Sequence, residues 1–230
     1  MKDVTELTVS QVRIFPSDCL PFTYLALESN AKVVKDALQF DRFQTSAVPI
    51  IFENGSFEQG GRTVLVSSLT VEPRRTILKV LGNSEEASAA HALFENALRR
   101  FDPRGSDSSY DRIVLTEETS CVATLDVSYD ELFSSSLSRF LGTVARERLT
   151  TEYASPTQIG LKRLSFEVRY EPSDASIRDH DVMISQKLIT IEPRAGTPLK
   201  ERRFFSSTPA DSSTHLALLE ALEQQLRPAG

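Results

Sequence analysis

The tripeptide Glu-Pro-Arg occurs twice, at residues 72–74 and 192–194, and each copy directly follows an alternating run, RTVLVSSLTVEP or DVMISQKLITIEP. Alternation at period two is the mark of a strand with one buried face. Val64, Val66 and Ser68 are expected on one face of the first strand and Leu65, Ser67 and Leu69 on the other, while Ile184, Leu188 and Ile191 mark the second strand. Proline lacks an amide donor and restricts the residue before it, so each motif reads as a strand running into a turn. A pattern that recurs together with its flanks restricts the chain to folds built from two similar units.

The flanks do recur. Each turn is followed by another extended run, TILKVLG or LKERRFFSST, and then by an amphipathic helix. The first helix is expected to start at Asn83, with Glu86 completing a capping box, and to bury Ala87, Ala90, Phe94, Leu98 and Phe101. The second is expected to start between Asp211 and Ser213 and to bury Leu216, Leu219, Leu222 and Leu226. His91 and His215 read as residues at the boundary between core and solvent, and as markers of the repeat. Upstream, VPIIFENGSFEQGG and LKRLSFEVRYEPSDASIRDH share Phe-Glu before a polar hairpin, and Asn54-Gly55 reads as a turn rather than a glycosylation site. Each unit opens with a strand, ELTVSQVRIF or CVATLDVSY. The following helix is clear over 130–149, where Phe133, Leu137, Phe140, Leu141 and Val144 form a stripe; it is weaker over 29–40, after an extended-looking FTYLALE.

The expected fold is therefore α+β: two tandem β-α-β-β-β-α repeats forming a pseudo-twofold antiparallel sheet with helices packed on one face. Residues 1–104 form the first repeat, 105–115 a joint rich in Ser, Asp and Gly, and 116–230 the second. This order resembles the duplicated saddle of the TATA-binding-protein-like folds. TILKVLGNSEEASAAHALFENALRRF adds a local likeness, with Gly82, Ser84, Glu85 and Glu86 between strand and long helix as in that family's repeats. The resemblance implies a fold rather than an activity.

With 26 Lys and Arg against 32 Asp and Glu the formal charge is −6, which argues against a dense basic surface for nucleic acid. Cys19 and Cys121 have no metal or disulfide spacing, and the N-terminal stretch mixes charge with apolar residues, so a cytoplasmic chain with neither metal nor cofactor is expected. Phosphate-loop, nucleophile-elbow and zinc-protease motifs are missing from the sequence. In RDHD, residues 178–181, adjacent side chains point apart, and a solvated hairpin tip is expected.

Two residue sets invite a functional reading. Glu72 and Glu192 would be related by the internal symmetry and could pair as carboxylates of an enzyme site; the plainer expectation is that each salt-bridges Arg74 or Arg194. The doublets Arg74-Arg75, Arg99-Arg100 and Arg202-Arg203 could gather into an anion-binding stripe, with Arg194 a further binding candidate, or pair with surface carboxylates. The function expected first is a non-catalytic cytosolic adaptor holding a protein or peptide partner on the exposed sheet face or in the groove between repeats. Nucleic-acid binding through a saddle and catalysis at a symmetric carboxylate site are the alternatives. A duplicated chain already supplies the symmetry that small units gain by dimerising, so a monomer is expected over a homodimer.

Overall fold

The computed structural model describes residues 1, 3–105, 107–128, 163–168 and 187–226. The expected helix over 130–149, Ile184 and the RDHD segment lie outside them. The described chain is α+β, with a nine-stranded antiparallel sheet in the order β2-β3-β4-β5-β1-β6-β9-β8-β7. Its strands are β1 (Asp3–Ile14), β2 (Arg42–Gln44), β3 (Ile50–Gln59), β4 (Arg62–Glu72), β5 (Arg75–Leu81), β6 (Val114–Thr124), β7 (Leu164–Val168), β8 (Lys187–Pro193) and β9 (Arg203–Thr208). The helices are α1 (Phe22–Leu25), α2 (Glu28–Ala37), α3 (Ser84–Leu98) and α4 (Ser212–Leu226). Among the described residues no helix is long and apolar enough to cross a membrane.

One sheet face meets the helices. Val9 and Gln11 of β1, Leu78 and Val80 of β5, and Val66, Leu69 and Val71 of β4 point to it and are buried with Ala87, Ala90 and Phe94 of α3. Cys121 and Ala123 of β6, Phe204 of β9 and Ile191 of β8 close a second apolar cluster around Leu219 of α4. Above the central β1–β6 pair the two long helices meet by their N-termini: the Ser84 amide donates to Ser212 Oγ at 3.1 Å, and the Ser212 amide to Ser84 Oγ at 2.8 Å. These reciprocal bonds satisfy one otherwise orphaned donor in each first turn.

Several local expectations are corrected. The β4 alternation breaks at a bulge at Ser67, because the register runs from Val66↔Val80 to Ser68↔Lys79; Leu69 and Val71, not Ser68, therefore continue the buried row. Asn54-Gly55 lies inside β3, with Asn54 at φ 54°, and the hairpin turns instead at Gly60-Gly61, both at positive φ. FTYLALE is helical over α1, where Leu25 enters the core and the Asn30 side chain donates to the Tyr24 carbonyl at 2.9 Å. His91 and His215 are both 0% exposed and stand on different turns, one midway along α3 and one in the first turn of α4. Neither is a boundary residue, and they do not correspond as a pair. β6 begins at Val114, inside the expected joint.

Candidate functional site

The residues singled out in sequence are not brought together. Glu72 bonds Arg75 at 2.6 Å and Glu192 bonds Arg163 at 2.7 Å, neither taking its expected partner. β4 and β8 are five strand spacings apart, about 24 Å at 4.8 Å each, so the two carboxylates do not form a paired site. The arginines are divided between the two ends of the sheet. Arg75 lies opposite Ile14, and Arg74 Nε donates to the Phe15 carbonyl at 3.3 Å. At the other end, Arg203 lies opposite Thr124 and bonds Thr5 Oγ1 at 3.4 Å, Arg194 pairs with Glu6 at 2.8 Å, and Arg202 lies 4.0 Å from Asp126. The length of β1 separates these groups by roughly 35 Å. A single cationic stripe is thereby excluded for these five.

A cleft of about 700 Å³ opens instead where β5 stops. The β1–β5 ladder begins at Val9↔Val80 and the β4–β5 ladder at Leu65↔Leu81. Residues 3–8 of β1 and 62–64 of β4 consequently run on past the end of β5, each held on its far side, by β6 and β3 respectively. Thr8, Arg62, Thr63 and Val64 flank the opening; Leu81, Val122 and Phe205 supply its apolar floor. Glu6 sits at φ 54° in a bulge of β1, where the register with β6 shifts between Thr5 and Thr8.

At the end of β5 the chain leaves the sheet for α3. Asn83 caps that helix, its side chain accepting from the Glu86 amide at 3.0 Å while Glu86 Oε2 accepts from the Asn83 amide at 2.8 Å. The buried Glu86 also takes an ion pair from Arg62 across the cleft. Gly82 makes room for this: a Cβ there would stand 2.1 Å from Glu86 Oε2. Gly82→Ala is expected to expel the carboxylate from the cap and cost about 1 kcal/mol, a loss that chemical denaturation reads directly. Glu86→Gln, which keeps the acceptor oxygen, should cost less.

Other polar groups are sealed inside. His215 Nε2 lies 2.8 Å from Ser206 Oγ, but both residues are buried, and burial pulls the imidazole pKa down to about 4. A substrate has no path to that pair. Under α3, Gln11 Nε2 bonds Glu117 at 2.7 Å and Arg13 bonds Glu95 at 2.8 Å, next to His91, whose pKa is held far below the usual range by burial and then by Arg13 and Arg112. Burial likewise raises the Cys121 thiol to about 11. Among the described residues no group of His, Cys, Asp and Glu has the arrangement of a metal centre.

The cleft carries no motif in sequence. Its one legible element is the Gly82–Glu86 turn, which announces a helix start rather than a wall of a site. Comparison with protein-family models, with curated proteins and with solved structures finds no match.

Proposed function

We propose that this chain is a cytosolic binding protein that holds a segment of a partner protein on the open face of its sheet, centred on the cleft at the end of β5. The observation that carries the reading is that cleft's continuity with exposed apolar residues on the open face. Leu65 and Leu81, directly opposed across β4 and β5, are 50% and 45% exposed, and Leu81 also lines the cleft. Opposed leucines on an uncovered sheet face gain free energy when a partner removes them from water, about 25 cal/mol per Å² of apolar area.

Charge favours a protein over nucleic acid. On the open face Glu53, Glu72, Glu118 and Glu192 are matched by Arg42, Arg75, Lys187 and Arg163, so among the described residues the cations there are largely engaged, and the chain's net charge of −6 disfavours a phosphate backbone.

A tandem duplication with pseudo-twofold symmetry, and with it the TATA-binding-protein-like saddle, belongs to the same proposal. The strand order supports it: outward from the β1–β6 pair come β5, β4 and β3 on one side and β9, β8 and β7 on the other. The reciprocal Ser84–Ser212 bonds have the form a twofold axis would give.

Selection of peptide binders against the immobilised full chain, followed by titration of the best binder, tests the function. Leu65→Asp with Leu81→Asp should weaken that binder by tenfold or more, since together they remove two apolar contacts and add two charges. Undiminished binding by the double variant would place the partner elsewhere.

A further inference from the structure

The binding reading leaves open how a partner is held, and the ends of the strands bear on this. Where β5 lies between them, β1 and β4 are two strand spacings apart, about 9.6 Å. Past Leu81 they continue with no strand between them among the described residues, and Thr5, Arg62 and Thr63 are exposed. Where it leaves Leu81 the gap is one strand wide, and the Arg62–Glu86 ion pair runs across it and has to be displaced by a guest strand. Each flanking strand turns one ladder edge toward it, and such unpaired edges are templates for strand addition. The Gly82 turn, which lifts the chain out of the sheet into α3, creates the gap and forms its inner end.

Resting on the binding function proposed above, we infer that the partner supplies an extended, basic segment that enters this slot as an additional strand. β5 is antiparallel to both β1 and β4, so a guest running in the direction of β5 is antiparallel to both neighbours and bonds to both edges. Its side chains alternate. Those on the helix side meet Leu7 and Val64; those on the open side meet Thr63 and Phe205, with Glu58 beyond Thr63 and Glu192, already held by Arg163, beyond Phe205. Glu58 takes only the Thr63 hydroxyl, at 2.6 Å, among the bonds of the described residues. The chain's net charge of −6 adds to this local preference. Apolar residues alternating with lysine or arginine are the complementary pattern.

The test uses the full chain, labelled for amide NMR, and three capped hexapeptides: alternating valine and lysine, the same peptide N-methylated at alternate amides, and alternating valine and glutamate. The first is expected to bind, with slowed amide exchange confined to residues 3–8 and 62–64. N-methylation at alternate amides should weaken it about tenfold or more by removing its donors to one of the two flanking strands, and the glutamate peptide should bind more weakly still. Protection at the outer strands β2 or β7, equal binding by the methylated peptide, or no binding by any of the three overturns the slot. Binding that shifts Leu65 and Leu81 without protecting residues 3–8 overturns the slot but leaves the binding function standing. Loss of all peptide binding at both places, including the selected binder's sensitivity to Leu65→Asp with Leu81→Asp, removes the function itself.

Discussion

Replacing Gly55 by alanine is expected to destabilise the protein by about 3 kcal/mol, read as a lower urea midpoint at unchanged slope. The added Cβ would stand 2.6 Å from the Leu38 carbonyl oxygen and 2.6 Å from Phe40 Cδ1. Neither neighbour can withdraw easily. Leu38 caps α2, and its carbonyl accepts the Ser56 amide at 2.8 Å, so the crowded oxygen is bonded to the residue beside Gly55. Phe40 is buried, its ring 5.4 Å from that of Phe52. Relief requires that α2 lift from β3, which opens the core. Gly60→Ala is the control: at φ +60° with nothing within 4 Å, it should cost only the left-handed backbone penalty of about 1 kcal/mol. Equal effects at the two glycines would show that α2 is not pressed against β3.

The same glycine shows what is legible in the sequence and what is not. An Asn-Gly pair is the strongest short hairpin signal, and the pair at 54–55 carries that signal in full. Gly55 is instead required by the approach of a separate helix end, a contact that no local pattern announces. The β4 bulge at Ser67 is similar: one extra residue inverts the alternation beyond it, yet serine carries no mark of the irregularity. Where the cause is local, the expectation holds. The capping box at Asn83 and Glu86, the strand of the first alternating run, the described part of the second over Lys187–Pro193, and the ends of β4 and β8 at Glu72 and Pro193 each depend on neighbours in the chain. The cleft depends on β1 and β4 outrunning β5, which is a relation between three strands and cannot be read from any one of them. Glu72 and Glu192 fail as a pair for the same reason, since likeness of their sequence surroundings says nothing of distance when β4 and β8 lie on opposite sides of β1 and β6.

Acid should destabilise the fold well before its carboxylates titrate. His215 has a pKa of about 4 in the folded chain against 6.5 as the unperturbed value, so between those limits the unfolded state binds more protons. Stability from this residue is complete above pH 6.5 and is lost as pH falls toward 4, about 2 kcal/mol by pH 5. His91 shifts in the same direction: burial lowers its pKa, and the cations facing it, Arg13 from β1 and Arg112 before β6, oppose a further charge, while Glu95, one turn along α3, is engaged by Arg13. The combined loss between pH 7.5 and pH 5 therefore exceeds that of His215 alone. Asp102 and Asp211 do not confuse the measurement. Arg104 and Tyr110 hold the first, and Ser213 and Thr214 the second, below the ordinary carboxylate range, so their contributions fade only at lower pH. Two substitutions separate the histidines. Among the described residues His91 has no partner for either ring nitrogen, so His91→Leu should leave stability at pH 7.5 unchanged or raised and flatten the acid slope. His215→Leu flattens the slope as well but strands the buried Ser206 hydroxyl, so it should cost about 1–3 kcal/mol at neutral pH. Urea titrations of the three proteins at pH 7.5 and pH 5 decide the matter: a parent chain equally stable at both values would mean that these imidazoles are hydrated in the fold.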